Sequence, residues 1–291
     1  MLLSRFELDE PGTTAAACEL LARHGEDATV YAGGTELLLA MKHRVLRYTR
    51  LVNIKRILGL DAIVRRDGML VIGALATHHA IERSAEVRAA VPVLAQVARD
   101  VGNVRVRVAG TLGGNLCFAE PHADPPTVLA ALGAEVRLTG PGGARVVAAD
   151  DFVHGAYDTA RTPDEILTAV AVPIPGPATA VAYRRLAFLD RPTVAVASLL
   201  ERGAGDRLAR VRIVVGAVGL RPQRAPSVES TLTGLGAVEA LAALPAAARR
   251  AAEQVAVIPD AQGSEDYKRH LVAVHVERAV RAALESGGSP R

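Results

Sequence analysis

Hydrophobic residues in the first part of the chain alternate between helical and strand-like spacing. Residues 13–25 carry apolar positions at helical spacing, begin with a Thr that can cap a helix and end with a Gly, so they predict a helix. The apolar stretch at 27–34 is typical of a short buried strand. A second helix is predicted over 35–44, and a second strand over 51–55.

The same alternation continues further along the chain. Residues 70–82 predict a strand that turns into a helix after Thr77, and residues 92–100 predict a helix. A helix over 126–132 leads into a strand at 134–138, and the Gly- and Pro-rich segment that follows predicts a hairpin turn with a returning strand. The pattern indicates a domain of mixed helix and sheet.

Prolines at positions 173, 175 and 177 interrupt regular structure and predict a domain boundary. Beyond them, residues 180–186 and 211–219 predict strands. The more apolar run at 193–201 fits either a helix or a strand. An Ala-rich helical segment follows, and the last six residues predict a loose tail.

Composition and charge narrow the class of protein. The chain has 291 residues, of which 50% are hydrophobic and 22% charged, so a folded protein of about two domains is expected. No apolar run reaches the roughly 18 residues of a membrane span, and the acidic opening segment does not resemble a signal peptide. The net charge of +3 is scattered rather than clustered, and only 3% of residues are aromatic, which argues against a nucleic-acid partner.

Several common catalytic and nucleotide-binding motifs are missing from the sequence. No Lys follows a Gly, so there is no phosphate-binding P-loop, and each G-x-G lacks the third glycine of the dinucleotide fingerprint. No G-x-S-x-G or H-E-x-x-H motif occurs, and the histidine pairs are poorly spaced for a metal, so we expect no metal site. Cys18 and Cys117 are too few for an iron–sulfur cluster and fit free thiols in the cytoplasm.

A first glycine pair, Gly33 and Gly34, lies where the strand at 27–34 gives way to a helix. Main-chain N–H groups left without partners at such a turn can bind an anion such as phosphate. Glycine suits the position because a side chain would block close approach and because the turn can require a positive φ. An ordinary tight turn between a strand and a helix explains the same residues.

A second glycine pair, Gly113 and Gly114, lies between Thr111 and Asn115. Together the two turns could hold the two phosphates of one dinucleotide from opposite sides, each with free main-chain N–H groups. Asp124 could then accept hydrogen bonds from a ribose or ring-system group. Asp124 is followed by Pro, so it could also cap the next helix.

Six segments together resemble the FAD-binding subunits of the molybdenum hydroxylases, a family that includes the medium subunit of aerobic carbon monoxide dehydrogenase and the flavin domain of xanthine dehydrogenase. The resemblance spans roughly residues 4–285. The segments are YAGGTELLLAMK, IGALATHHAIE, GTLGGNLCFAEPHADPPTVLAALGAEVRL, EILTAVAVP, RPQRAPSVESTLTG and SEDYKRHLVAVHVERAV.

The resemblance implies an α+β architecture. An FAD-binding fold of the vanillyl-alcohol oxidase (PCMH) type, made of two subdomains, is followed by a C-terminal α/β domain of the carbon monoxide dehydrogenase flavoprotein type. The expected boundaries are 1–175 for the FAD-binding domain, with subdomains at about 1–57 and 58–175, and 178–286 for the C-terminal domain.

The resemblance also implies which residues bind FAD. Residues of the first turn would form the pyrophosphate loop, and those of the second turn would contact phosphate and ribitol. Gly102 and Leu167 would line the adenine side, Thr77 and Asp124 would lie close to the flavin, and Arg184 is either a cation beside the isoalloxazine ring or a surface arginine. The full expected set is Ala32, Gly33, Gly34, Thr35, Glu36, Leu37, Thr77, Gly102, Thr111, Gly113, Gly114, Asn115, Asp124, Leu167 and Arg184.

The chain departs from the family pattern at two places. Relatives often have Gln and Asn in the segment before the second turn, where this chain has Arg105 and Val108. They often have an aromatic residue near Arg191 and Pro192, where this chain has none. These departures concern the surroundings of the ring and the electron acceptor.

Functionally, the resemblance implies an electron-transfer oxidoreductase subunit without a catalytic residue of its own for the substrate. A large partner would carry the molybdenum cofactor and a small partner the [2Fe-2S] clusters, in a dimer of heterotrimers. The FAD would pass electrons to an external acceptor. Two alternatives stay open at this point: a self-sufficient flavin oxidase, and a homologue that keeps the fold as a scaffold without redox function.

Overall fold

The computed structural model describes residues 2–286. Its helices are α1 (Thr14–His24), α2 (Leu37–Lys42), α3 (His78–Arg83), α4 (Ala85–Ala90), α5 (Pro92–Asp100), α6 (Val104–Ala109), α7 (Leu112–Phe118), α8 (Asp124–Leu132), α9 (Ala149–Phe152), α10 (Pro226–Leu232), α11 (Ala237–Gln254) and α12 (Glu265–Ser286). Its strands are β1 (Glu7–Asp9), β2 (Ala28–Tyr31), β3 (Arg50–Asn53), β4 (Ile63–Arg66), β5 (Met69–Gly73), β6 (Glu135–Gly140), β7 (Gly143–Ala148), β8 (Val153–Gly155), β9 (Asp158–Thr159), β10 (Ile166–Pro173), β11 (Thr179–Leu186), β12 (Val194–Arg202), β13 (Leu208–Gly216) and β14 (Gln223–Arg224).

Within residues 2–286 the strands form three larger sheets and one two-stranded sheet, β8-β9. A small parallel sheet has the order β1-β3-β2, and an antiparallel sheet has the order β4-β5-β10-β6-β7. The third sheet, β11-β12-β13-β14, is antiparallel and contains only strands that follow the proline segment. The segment between Pro173 and Thr179 therefore connects one sheet to the next.

Local signals explain most of the early elements. Thr13 caps α1 because its hydroxyl accepts a hydrogen bond from the N–H of Ala16, and Gly25 ends the helix with a positive φ. Thr77 caps α3 in the same way through the N–H of Ala80. The helices predicted over 13–25 and 92–100 and the strand that turns into a helix after Thr77 are confirmed.

The ambiguous run at 193–201 is strand β12. Its first seven residues are all buried, because α8 covers one face of the sheet and α12 covers the other. Ala195, Ala197 and Leu199 belong to the hydrophobic core that contains α8. Val194, Val196 and Leu200 belong to the core under α10, α11 and α12. A strand buried on both faces has no polar alternation, which is why the sequence pattern could not separate strand from helix.

The remaining expectations concern the hairpin, the Ala-rich end, the tail and a membrane span. The hairpin after 134–138 is present as β6 and β7, and a short helical turn, α9, follows it. The Ala-rich end is helical, as expected. The loose tail predicted for the last six residues lies, apart from Ser286, outside the described residues. Between residues 2 and 286, no helix combines the length and the apolar character that a bilayer span requires.

Candidate functional site

The first glycine turn connects β2 to α2 and leaves a row of main-chain donors free. Within residues 2–286, the N–H groups of residues 32–37 have no hydrogen-bond acceptor. Gly34 has a φ of +72°, which confirms the need for glycine at that position. A Cβ on Gly34 would also lie 2.5 Å from Cε2 of Tyr31. The turn thus has the unpaired donors that an anion site requires.

The two glycine turns lie against each other. A Cβ on Gly33 would lie 2.1 Å from the carbonyl oxygen of Ala109, the last residue of α6, two positions before Thr111. A Cβ on Gly110 would lie 3.4 Å from Oγ1 of Thr35. Gly33 is therefore required by contact between the two turns, and the proximity that one dinucleotide would demand is present.

The second turn differs from the expectation because its main-chain donors are already used. The N–H groups of Leu112 and Gly113 donate to the carbonyl oxygens of Ala76 and Ala74, and that of Gly114 donates to Oγ1 of Thr111. Both glycines lie in α7, which Thr111 caps. The prediction of a second cluster of free N–H groups is wrong, and this turn can offer a ligand only side chains and shape.

A cleft of about 250 Å³ opens beside the two turns and is bordered by both halves of the chain. Five predicted site residues line it: Thr35, Glu36, Gly102, Asn115 and Asp124. The other lining residues are Leu39, Val101, Val106, Phe118, Glu120, His122, Ala123, Asp190 and Arg191. Oδ1 of Asn115 is buried and has no hydrogen-bond partner within residues 2–286. Such an oxygen can accept a hydrogen bond from a ligand.

Ten predicted site residues do not line the cleft: seven belong to the two glycine turns, and the other three are Thr77, Leu167 and Arg184. Thr77 forms an isolated β-bridge with Thr111, which places it beside the second turn. Leu167 is buried in β10 at an irregular point of its pairing with β6. Arg184 is exposed and donates to the carbonyl oxygen of its neighbour Tyr183. The roles expected for these residues stay predictions.

Asp124, which lines the cleft, joins the two halves of the chain. It is the first residue of α8, and its carboxylate accepts hydrogen bonds from the Tyr183 hydroxyl over 2.6 Å and from Nη1 of Arg185 over 2.8 Å. Ala123 occupies the cap position, so the alternative that Asp124 caps this helix is wrong. Burial raises the pKa of Asp124 to about 6, although Arg185 and Tyr183 act in the opposite direction.

Arg191, which the sequence marked only as lying near a departure from the family pattern and not as a site residue, is a cation of the cleft. Its Nη2 lies 2.8 Å from Oε1 of Glu36, on the first turn, and its Nη1 lies 3.1 Å from Oε1 of Glu120. Burial would lower the pKa of Arg191, but Glu120 and Glu36 raise it above its ordinary value. Glu36 and Arg191 are 155 residues apart in sequence, so no local pattern could have shown that they meet.

A chain of polar contacts continues from Glu120 into the C-terminal part of the protein. Nδ1 of His122 lies 3.2 Å from Oε1 of Glu120, and its Nε2 lies 2.9 Å from Oδ2 of Asp260. Lys268, which is fully buried on α12, donates to the same oxygen of Asp260 over 2.6 Å. Burial would raise the pKa of Glu120, but His122 and Arg191 hold it below its ordinary value.

Two family models cover nearly the whole chain. Residues 4–175 match the FAD binding domain in molybdopterin dehydrogenase, and residues 178–283 match the CO dehydrogenase flavoprotein C-terminal domain.

Relatives and solved structures agree with these matches. The carbon monoxide dehydrogenase medium chain of Afipia carboxidovorans is 34% identical over 285 residues, covering 97% of this chain and 98% of the relative. The nicotine 6-hydroxylase medium subunit of Paenarthrobacter nicotinovorans is 30% identical over 282 residues, covering 96% and 98%. A carbon monoxide dehydrogenase structure from Hydrogenophaga pseudoflava superimposes with a TM-score of 0.92 at 33% identity, covering 98% of this chain and 99% of that chain.

Proposed function

This chain belongs to the family of FAD-binding medium subunits of molybdenum hydroxylases. We propose that it relays electrons from the iron–sulfur clusters of a partner subunit to an external acceptor. It is an oxidoreductase subunit with FAD as its cofactor, and its fold is the expected FAD-binding domain followed by a flavoprotein C-terminal domain. The isoalloxazine ring of FAD supplies the electron-carrying chemistry, and the protein supplies binding, orientation and electrostatics.

The observation that carries the proposal is the row of free N–H groups at residues 32–37. FAD contains a pyrophosphate, which needs donors, and these groups have no acceptor within residues 2–286. The buried Oδ1 of Asn115, which lines the same cleft, is likewise unpartnered within residues 2–286. A buried polar atom such as Oδ1 of Asn115 is costly unless a ligand or water satisfies it, and together with the free donors of the first turn it fits FAD.

We assign roles to the individual residues from the family resemblance. Main-chain N–H groups of Ala32 to Leu37 would hold the pyrophosphate. Thr111 and Asn115 would contact phosphate or ribitol through their side chains. Gly113 and Gly114, which have no side chains, would let α7 lie close to the FAD. The residues assigned to the adenine side are Gly102 and Leu167, and those assigned to the flavin side are Thr77, Asp124 and Arg184.

We place the molybdenum centre and the iron–sulfur clusters on a large and a small partner subunit, in a dimer of heterotrimers in the cytoplasm. Cys18 and Cys117 are both free thiols, and residues 2–286 contain no group of three or more side chains suited to a metal ion. By their names, the relatives act on substrates as different as carbon monoxide, nicotine and glyceraldehyde. That diversity supports a substrate pocket on another subunit.

We also propose the division into an FAD-binding domain at 1–175, with subdomains at about 1–57 and 58–175, and a C-terminal domain at 178–286. The matched segments and the change of sheet between Pro173 and Thr179 support it.

The function is tested by purifying the full-length chain alone and again after co-expression with its neighbouring genes. We expect flavin absorption in both samples, and molybdenum- and iron-containing partners in the second. Reduction of the bound flavin by substrate should occur only in the complex. A colourless chain without releasable FAD, or substrate turnover by the chain alone, would overturn the proposal.

A further inference from the structure

The first glycine turn carries a carboxylate at the place where it should bind an anion. The main-chain N–H of Glu36 belongs to the free row, while its side chain lines the cleft. A carboxylate this close to a pyrophosphate repels it, because like charges a few ångströms apart in a partly buried cleft interact unfavourably. Anion binding at this turn therefore needs a compensating cation.

Arg191 is placed to supply that cation from the C-terminal part of the chain. It lies on the connection between β11 and β12 and forms ion pairs with Glu36 and Glu120 simultaneously. Glu120 is well buried, with a side-chain exposure of 11%, whereas Glu36 is half-buried at 37%. One guanidinium thus connects Glu36, on the anion-binding turn, to the buried carboxylate of Glu120.

Glu120 is itself held in place by hydrogen bonds from His122. The main-chain N–H of His122 donates to Oε2 of Glu120 over 2.9 Å, and the imidazole connects Glu120 to Asp260. Lys268 fixes Asp260, since its ammonium also donates to the carbonyl oxygen of Ile258 over 3.0 Å. Because a buried lysine without a partner would be costly, Lys268 keeps both contacts, and they hold Asp260 in place.

We propose that Arg191 is a positioning residue that neutralises Glu36 and thereby sets the affinity of the first glycine turn for the FAD pyrophosphate. Glu120, His122, Asp260 and Lys268 hold Arg191 at the cleft. The inference rests on the proposed FAD site and adds that the C-terminal domain controls how tightly the cofactor is retained.

A double-mutant cycle on the full-length chain tests this coupling, with the rate of FAD release measured from the rise in free FAD fluorescence after dilution. We expect Arg191→Gln to speed release about fivefold, because Glu36 is left uncompensated beside the phosphates. Adding Glu36→Gln to Arg191→Gln should reverse most of that change, while Glu36→Gln alone should not speed release. The Arg191→Gln effect should shrink in high salt.

Arg65 and Glu86 provide a matched control pair. Their 2.7 Å ion pair has side-chain exposures of 41% and 54%, similar to those of Arg191 and Glu36, and neither residue lines the cleft. Arg65→Gln and Glu86→Gln should leave FAD release within about twofold of the unmodified chain. His122→Gln should speed release, by less than Arg191→Gln does.

Two results would overturn the inference: an unchanged rate of FAD release in Arg191→Gln, or an equal effect of Glu36→Gln with and without Arg191. Either result leaves the proposed function standing, because the unmodified chain would still hold FAD. An unmodified chain that retains no FAD would instead contradict the proposed function itself.

Discussion

Tyr183 donates its hydroxyl proton to Oδ1 of Asp124 over 2.6 Å, and both side chains are buried. Tyr183 belongs to the first strand after the proline segment, whereas Asp124 begins a helix of the preceding part of the chain. This contact and the neighbouring ion pair from Arg185 join the two parts at Asp124, a residue that lines the cleft. The geometry of the cleft and the packing of the C-terminal sheet are therefore linked.

Replacing Tyr183 with Phe should lower the free energy of unfolding by about 1 to 3 kcal/mol, because a buried carboxylate oxygen loses its donor. Urea unfolding followed by circular dichroism measures the change. Tyr267→Phe is the control, since its hydroxyl has no partner within residues 2–286 and its ring is retained. Equal stabilities of the two variants would contradict the importance of the contact.

The raised pKa of Asp124 predicts a pH-dependent difference in stability. The carboxyl has a pKa of about 6 in the folded protein against 3.8 ordinarily, so between these values the folded state binds a proton that the unfolded state has released. The stabilising contribution of this group is thus complete below about pH 4 and is lost as the pH rises through 6.

Asp124→Asn removes the titrating group, which isolates this effect from all other carboxyls. We expect the stability of the unmodified chain relative to Asp124→Asn to fall between pH 4 and pH 6 and to level off above. Unfolding curves of both proteins at four pH values test it. A difference that stays constant or rises over this range would show that the pKa of Asp124 is not raised.

Gly33→Ala should separate the two glycine turns. The new Cβ would lie 2.1 Å from the Ala109 carbonyl oxygen, which is main chain and cannot rotate away. We expect a loss of about 2 kcal/mol or more in unfolding free energy, together with faster release of FAD. Gly155→Ala is the matched control, because a Cβ there has nothing within 4 Å. If Gly33→Ala behaves like Gly155→Ala, the turns do not touch in solution.

Asn115→Ala should weaken FAD binding by about tenfold while leaving the stability of the FAD-free chain unchanged, because its Oδ1 has no partner within the protein described here. Fluorescence titration with FAD and urea unfolding measure the two quantities. Asn53→Ala should show a loss of stability instead, since Asn53 is buried and bonds to Glu10 and to the N–H of Lys55. Unchanged FAD affinity in Asn115→Ala would remove Asn115 from the site.

The sequence was most informative where a structural signal is local. A Thr cap, a terminal Gly and helical spacing predicted α1, and the strand followed by Gly33 and Gly34 predicted an anion-binding turn with a positive φ. Both depend on residues within a few positions of each other. The family resemblance, which depends on several ordered motifs, predicted the fold and the cofactor.

The sequence was uninformative where partners come from distant segments. The second glycine turn is similar in sequence to the first, but the N–H groups of Leu112 and Gly113 donate to the carbonyl oxygens of Ala76 and Ala74, just after β5. On β11, exposed Arg184 and half-buried Arg185 are equivalent in the sequence, and only the alternation of the strand against α8 directs Arg185 to Asp124. Arg191 meets Glu36 for the same kind of tertiary reason.

We propose above all that the free main-chain donors of residues 32–37 bind the pyrophosphate of FAD. A crystal structure of the full-length chain with FAD tests it most directly. We predict that pyrophosphate oxygens accept hydrogen bonds from these N–H groups, with Asn115 and Arg191 on the walls of the same cleft. A pyrophosphate bound anywhere else, with the N–H groups of residues 32–37 facing only water, would contradict the claim.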